Sequence, residues 1–558
     1  MKIDATSLEE HLRNPLDHVL GLSAHQAHPQ TIMPALVAAL TICGMLGWVS
    51  LLVPPFIEND TGLGFLAWRG TLLGAANSLI TASPENIAKD KVEFFTMFSP
   101  GLYFIPGAIS LILRVPLGIA MTVTVMLSML ACLVGWAMVV RTFAPRTSLA
   151  LLVTVLIGSF RYSTSEFGIY HGGEILLQAA TPWLILTAYR VPQMGALSAA
   201  LLSAGAVFLA FLAKLTGIIV MAAALVVGAL VWFAYGRRIT RGMIGGAIGA
   251  QAALPILYIT FFSRGWTAAS GASWWSPPLF KSIAFASLVP WVAGISWSQA
   301  MKFILFPSSD FGYMPIIYQA IIVPPAILVI SLILFSRPET ATEKQFRLFS
   351  LWFYCVTTAV FILLFIHGAA IWLEERHYRS AGTLLFVCAL MSAQAAGTPK
   401  WTRGLFLALC AVMALYGLAS FSHRAWTTAN GRSLDIASWT NQQMFDTAAI
   451  DFAKQAYARE GRDALFVLPE EQLAVTLPTD ARILPINLNW VPVSLAARSR
   501  YSGRVPDHVF MLLPNTILDS GNGILDMGNA RPLLATFTDY DPDRWGRKTF
   551  ASMSVFFQ

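Results

Sequence analysis

Apolar residues in this chain come in long uninterrupted runs rather than at regular intervals along one face. The runs occupy roughly 31–53, 116–140, 148–158, 175–188, 195–213, 215–235, 243–262, 320–335, 348–366, 384–396 and 405–421. A helix needs about 20 apolar residues to cross a bilayer, so the pattern predicts a mostly α, polytopic transmembrane bundle of about eleven helices. Pro54-Pro55 closes the first run. The stretch up to about residue 113 is polar and broken by Pro100-Gly101 and Pro106-Gly107, which predicts a folded loop with interfacial helices. The long connectors are 54–115 and 263–318, the second carrying Trp266, Trp274, Trp275, Trp291 and Trp297. Gly245 and Gly249 have GxxxG spacing, which predicts close helix packing.

The pattern changes after Phe421. Helical periodicity over 441–459 is followed by strand-like runs at 464–468, 482–486 and 508–513, closed by Pro469, Pro485 and Pro514. This predicts a small α/β domain over 422–558 behind a membrane domain over 31–421, with a polar N-terminal segment at 1–30 that has no cleavage signal. Composition agrees. Of 558 residues, 56% are apolar and 12% are charged, against about 25% charged in soluble proteins. That excludes an ordinary soluble protein, a disordered chain and a disulfide scaffold. The tail is nearly neutral, with 13 basic and 14 acidic residues, which gives no footprint for nucleic acid. Cys43, Cys132, Cys355, Cys388 and Cys410 all fall in apolar runs, without metal-ligand spacing.

Short connectors holding Arg141 and Arg146, Arg190, Arg237 and Arg238, Arg337 and Lys344, and Lys400 and Arg403 alternate with longer ones. Basic turns face the cytosol, so the N-terminus is expected inside and, for an odd helix count, the tail outside. The acids are more asymmetric. Glu58, Asp60, Glu85, Asp90, Glu93, Glu166, Glu174, Asp310, Glu374 and Glu375 all map to the outer face. Long outer loops simply holding more polar residues is the competing explanation, but ionisable groups near membrane level are costly and point to function.

Five motifs carry candidate chemistry. Glu58-Asn59-Asp60 follows the first helix, where one carboxylate, tuned by burial and by the other, suits a general base. The stretch from Phe95 to Tyr103 is an aromatic turn, or a plain interfacial belt. Arg161 to Glu174 holds His171 and Glu174 three residues apart, a spacing that suits a substrate hydroxyl or a metal if the helix begins early. Lys214 interrupts two apolar runs and either snorkels or meets a phosphate. Glu374-Glu375-Arg376-His377-Tyr378-Arg379 offers two planar guanidinium groups suited to phosphate, or a solvated salt-bridged turn. In the tail, Asp539-Tyr540-Asp541-Pro542-Asp543 is an acidic turn that could take a cation or simply be solvated.

In their order these motifs resemble the GT-C superfamily of polytopic membrane glycosyltransferases, which includes protein O-mannosyltransferases and aminoarabinose transferases. Members carry an acidic motif just after helix one, where Glu58-Asn59-Asp60 stands. A Pro-containing aromatic stretch follows, similar to Phe98-Ser99-Pro100-Gly101-Leu102-Tyr103, with Pro-Gly here in place of the more usual Pro-Pro. A basic residue ends a middle helix, like Lys214, and a late helix opens on an Arg-Tyr-like sequence, like Glu375-Arg376-His377-Tyr378. Many end in a periplasmic domain. The resemblance implies transfer of a sugar (hexosyl or pentosyl) from a polyprenyl phosphate to a protein, lipid or polysaccharide acceptor, with inversion, on the outer face of a bacterial inner membrane. It implies Asp60, with Glu58, as the catalytic acids, and Arg376, Arg379 and Lys214 on the donor phosphate. Tyr103, His171, Glu174 and Tyr378 would contact substrate. Some members require a divalent cation such as Mg or Mn and others do not. A transporter or lipid flippase is the alternative, which would favour midplane charges and repeat symmetry. A polysaccharide polymerase or ligase, or a non-catalytic assembly subunit, is a further one.

Overall fold

All eleven apolar runs are helical in a computed structural model, which describes residues 32–265, 279–305, 316–368, 371, 373–395, 397–431, 434–441, 447–488, 491–504 and 508–558. The helices are α1 (Met33–Leu52), α2 (Leu117–Phe143), α3 (Thr147–Ser159), α4 (Gly173–Arg190), α5 (Ala196–Ala213), α6 (Leu215–Ala234), α7 (Arg241–Thr260), α8 (Ile316–Phe335), α9 (Ala341–Ile366), α10 (Arg379–Ala393) and α11 (Lys400–Ala429). Among the described residues, seven helices are long and apolar enough to cross a membrane, or eight if α3 and the segment after it, bent by 57°, form one span. The expected N-terminal segment 1–30, Asp310, Trp266, Trp274 and Trp275 lie outside the described residues.

The helix α3 is the informative exception. Its 13 residues rise only about 20 Å, short of the roughly 30 Å hydrocarbon layer. The chain then turns at Phe160 through a short helix, Arg161–Thr164, and runs irregularly to Gly172. Irregular backbone at such depth survives only where protein buries it or a cavity receives it. Here Thr164, Glu166 and Tyr170 are buried.

The connectors sort to two ends. At one end Arg146, between α2 and α3, meets Glu339 at 2.5 Å and Glu343 at 3.0 Å, beside α9, and its Nη1 reaches the Gln394 carbonyl after α10. The other end carries the long loops. Phe56–Ile57 (β1) lies parallel to Ile169–Tyr170 (β4) and to Thr440–Asn441 (β6). Leu434–Asp435 (β5) pairs antiparallel with β6. This small sheet binds the exit of α1, the entry to α4 and the start of the tail. The Asn441 amide donates to the Pro54 carbonyl and the Trp439 indole to Leu51.

The loop after α1 is more ordered than its sequence announces. It contains a helix, Asn59–Leu72, a hairpin of Ser78–Ser83 (β2) and Asn86–Phe94 (β3), and a helix, Gly101–Leu113. The tail is the expected α/β domain, with a sheet in the order β10-β11-β9-β7-β8. Ala464–Leu468 (β7) runs parallel to both Arg482–Pro485 (β8) and His508–Pro514 (β9). Gly546–Thr549 (β10) and Met553–Phe557 (β11) add an antiparallel edge that the sequence patterning missed. The expected boundary at 421 falls inside α11, which continues to Ala429.

Two arginines help to dock the tail on the loop after α1. Buried Arg69 donates to the carbonyls of Ala474, Pro478, Thr479 and Ala481. Arg482 binds Asp90 at 2.9 Å and the Ile87 carbonyl at 2.6 Å, on the hairpin.

The GxxxG expectation holds. A Cβ on Gly245 would lie 2.1 Å from the Ala196 carbonyl oxygen, and one on Gly249 2.0 Å from that of Ala200. Both obstructions are backbone, so α5 and α7 would have to separate. Gly249→Val is therefore expected to destabilise the protein by roughly 1–3 kcal/mol, read as a lower melting temperature in detergent. Gly205→Ala, with nothing near its Cβ position, is expected to be neutral or mildly stabilising.

Candidate active site

Four segments far apart in sequence converge at the loop-rich end of the bundle. Glu58 stands immediately before the Asn59–Leu72 helix, and Asp60 lies in its first turn. Glu174 opens α4, behind Gly172, whose φ of +57° is a conformation L side chains rarely adopt. Lys214 is the single extended residue between α5 and α6. Glu374 and Arg376 lie in and beside the 3-10 turn Glu375–Tyr378 before α10.

Arg376 is the hub. Its Nε pairs with Glu374 and stands 3.8 Å from Glu174. Its Nη1 lies 3.4 Å from Glu58 and its Nη2 3.6 Å from Asp60. Lys214 pairs with Glu174. Four carboxylates therefore share two cations. Asp60 bears the consequence: burial and the neighbouring Glu58 charge push it up to about 7, against the opposing pull of Arg376. A carboxyl tuned to neutrality next to a guanidinium is the arrangement a general base needs.

The other expected site residues divide. His171 precedes α4 instead of sharing a helical face with Glu174, because the helix starts only at Gly173. Its Nδ1 lies 3.2 Å from buried Glu166, which raises its pKa, as does Glu58, while burial opposes. Glu166 was visible in the sequence motif but had no assigned partner. Tyr103 is fully enclosed, its hydroxyl donating to Asn77 at 2.5 Å and its ring against Phe95 and Phe104. Tyr378 is enclosed by Phe285 and Phe361. Both tyrosines pack within the core here. Arg379 also parts from Arg376, its guanidinium lying over the Tyr162 ring at 5.1 Å. The sequence missed Glu374 as the closest partner of Arg376, since adjacency in a charged run does not say which acid turns inward.

The tail reaches this site. Its segment Glu471–Val475 packs on the Asn59–Leu72 helix, where a Cβ on Gly62 would lie 2.7 Å from the Gln472 amide nitrogen. Buried Glu471 is pushed up to about 8, first by burial and then by the charges of Glu470 and Asp60. Its Oε1 has no hydrogen-bond partner among the described residues.

No family model and no curated protein matches the sequence. Solved structures do match. ArnT from Cupriavidus metallidurans bound to undecaprenyl phosphate superposes with a TM-score of 0.52 at 10% identity, over 93% of this chain and 97% of that one. The fold is GT-C-like. The protein is thus an integral membrane protein of that architecture. Mycobacterial arabinofuranosyltransferase AftD aligns with a TM-score of 0.44 at 13% identity, over 95% of this chain, which spans 40% of AftD. Archaeal oligosaccharyltransferase AglB from Archaeoglobus fulgidus aligns with a TM-score of 0.41 at 10% identity, over 92% of this chain and 74% of that one. At these identities the likeness concerns the fold and transfers no residue's role.

Among the described residues, no three His, Cys, Asp or Glu side chains are grouped to hold a metal ion. The carboxylates around Arg376 are directed at Arg376 and Lys214.

Arg376→Met leaves Glu58, Asp60 and Glu374 partly buried without this counterion, with Lys214 still on Glu174, a change worth roughly 3–5 kcal/mol for a buried pair. The loss in melting temperature is expected to be larger at about pH 8, where carboxylates are ionised, than at about pH 5, where Asp60 has taken up its proton. Equal losses at both values would remove the electrostatic explanation.

Proposed function

We propose that the protein is a glycosyltransferase that moves a sugar from a polyprenyl phosphate to a hydroxyl acceptor at the end of the bundle holding the long loops. The observation that carries this is Asp60, raised to about 7 and 3.6 Å from the Arg376 guanidinium. A base and a phosphate-binding cation side by side are what a displacement at an anomeric carbon requires. The neighbouring fold of ArnT, bound to undecaprenyl phosphate, supports the donor class.

In this reading Asp60 takes the proton of the acceptor hydroxyl as its oxygen bonds to the anomeric carbon. The carbon–oxygen bond to the phosphate breaks, and its electron pair stays on the phosphate oxygen. Attack from the face opposite the leaving phosphate inverts the anomeric configuration. The phosphate gains negative charge as the bond breaks, so Arg376 and Lys214 hold the departing group more tightly than the intact donor, and that difference is what accelerates the step. Glu58 and Glu374 occupy Arg376 before the donor arrives and exchange with its phosphate. Glu58 also keeps Asp60 poised. The basic connectors at the far end favour a cytosolic side for that end; in this reading transfer takes place on the extracytoplasmic side, in a bacterial cell envelope, at the end where the tail docks.

Asp60→Asn is expected to cut kcat/KM by roughly 10²–10⁴ and to cause a sugar-linked polyprenyl phosphate to accumulate in cells, read by mass spectrometry of lipid extracts. An unchanged lipid pool with normal protein levels would favour a transporter or flippase. In vitro, kcat/KM should rise with pH to a plateau, half-maximal near the Asp60 value of about 7. Glu58→Gln removes a charge that raises Asp60, so the midpoint moves to lower pH. A midpoint unmoved by Glu58→Gln argues against Asp60 as the base.

A further inference from the structure

When a phosphate takes Arg376, Glu58 loses its guanidinium partner. The groups around it offer little in return. Asp60 is a second acid, and Lys214 is paired with Glu174. A carboxylate left partly buried without a cation is costly.

The local fold brings another cation beside it. Strands β1 and β4 run parallel, with Phe56 opposite Ile169 and Ile57 opposite Tyr170. One step further along that register, His171 falls beside Glu58. The pairing continues this far, since Glu58 is still extended (ψ 152°) and its N–H donates to the Tyr170 carbonyl at 3.4 Å. Thr61 Oγ1 donates to the same carbonyl at 3.2 Å. Side chains alternate between the two faces of a strand. Ile57 and Tyr170 are buried on one face, which leaves Glu58 and His171 together on the other, 26% and 20% exposed.

His171 is equipped to be that cation. Its Nδ1 lies 3.2 Å from Glu166, which is 1% exposed and has no other cation within 4.0 Å among the described residues. A buried carboxylate with a single partner favours the charged form of that partner. Burial lowers the His171 pKa, but Glu166 and then Glu58 raise it above the ordinary value, against the repulsion of Arg376. With Nδ1 turned to Glu166, Nε2–H is the remaining donor, and it makes no hydrogen bond among the described residues.

We propose that His171, held as an imidazolium by Glu166, receives the Glu58 carboxylate when the donor phosphate displaces it from Arg376. His171 is then a positioning residue. It touches neither sugar nor phosphate, and acts by making Arg376 easier to clear. This takes the place of the substrate contact implied by the family resemblance. The role rests on the transferase reading above and supplies the receiving end of its exchange of carboxylate for phosphate.

The test is a double-mutant cycle on the binding of undecaprenyl phosphate to the full chain in detergent, read by calorimetry. His171→Gln should weaken binding roughly 10-fold, the scale of one hydrogen bond to a charged group. In the Glu58→Gln background, where no carboxylate has to be received, the same substitution should change affinity less than about twofold. Glu166→Gln withdraws the charge that holds His171 protonated. It should weaken binding as His171→Gln does, and it covers the case in which that variant does not fold. If the wild-type chain binds and His171→Gln binds equally well, or loses the same factor with and without the Glu58 carboxylate, the proposal is overturned and the transferase reading stands. A wild-type chain that binds no undecaprenyl phosphate overturns the donor reading, and this role with it.

Discussion

Four carboxylates gathered around one guanidinium impose the main constraint on this molecule. Like charges this close repel, and in a partly buried site the repulsion is only weakly screened. Glu58, Asp60, Glu174 and Glu374 can coexist only because Arg376 and Lys214 stand among them. The balance is incomplete, with four potential negative charges against two positive. The deficit falls on Asp60, which holds its proton up to about 7. The same electrostatics that stabilises the site leaves Asp60 poised to exchange a proton near neutrality.

The rest of the architecture keeps these groups in register. Each arises where a helix is deliberately interrupted. Pro54-Pro55 ends α1, α3 stops after 13 residues, Lys214 separates α5 from α6, and a 3-10 turn precedes α10. Interrupted helices free backbone groups, and the small β4-β1-β6-β5 sheet and the docked tail reclaim several of them. The tail is therefore part of the site's support. Arg69 fastens the helix that carries Asp60 to four tail carbonyls, and Glu471 sits close enough to Asp60 for their charges to interact. A buried arginine satisfied by carbonyls is geometrically demanding, which fixes the angle at which that helix meets the tail.

Much of this was legible in the sequence because hydrophobic runs report burial directly. Eleven runs became eleven helices, Gly245 and Gly249 sit at a backbone contact, and the three tail strands Ala464–Leu468, Arg482–Pro485 and His508–Pro514 lie where their apolar runs stand. Glu58, Asp60, Lys214, Glu174 and Arg376, singled out as separate motifs, lie together in the structure. What failed had a common cause. A side chain's direction in an irregular segment does not follow from spacing. Tyr103 and Tyr378 turned into the core, and Arg379 separated from Arg376 although both stand in one six-residue motif. The β2–β3 hairpin and the last two strands were missed because their residues alternate weakly and draw their stability from partners distant in sequence.

The central claim is that Arg376 exchanges carboxylate for phosphate. The most direct measurement is a cryo-electron-microscopy structure of the full chain with added polyprenyl phosphate. The account predicts phosphate oxygens about 2.7–3.2 Å from Arg376 and Lys214 nitrogens, with Glu58 or Glu374 displaced and Asp60 facing the open side. A phosphate bound away from Arg376, with all four carboxylates still around its guanidinium, would contradict it.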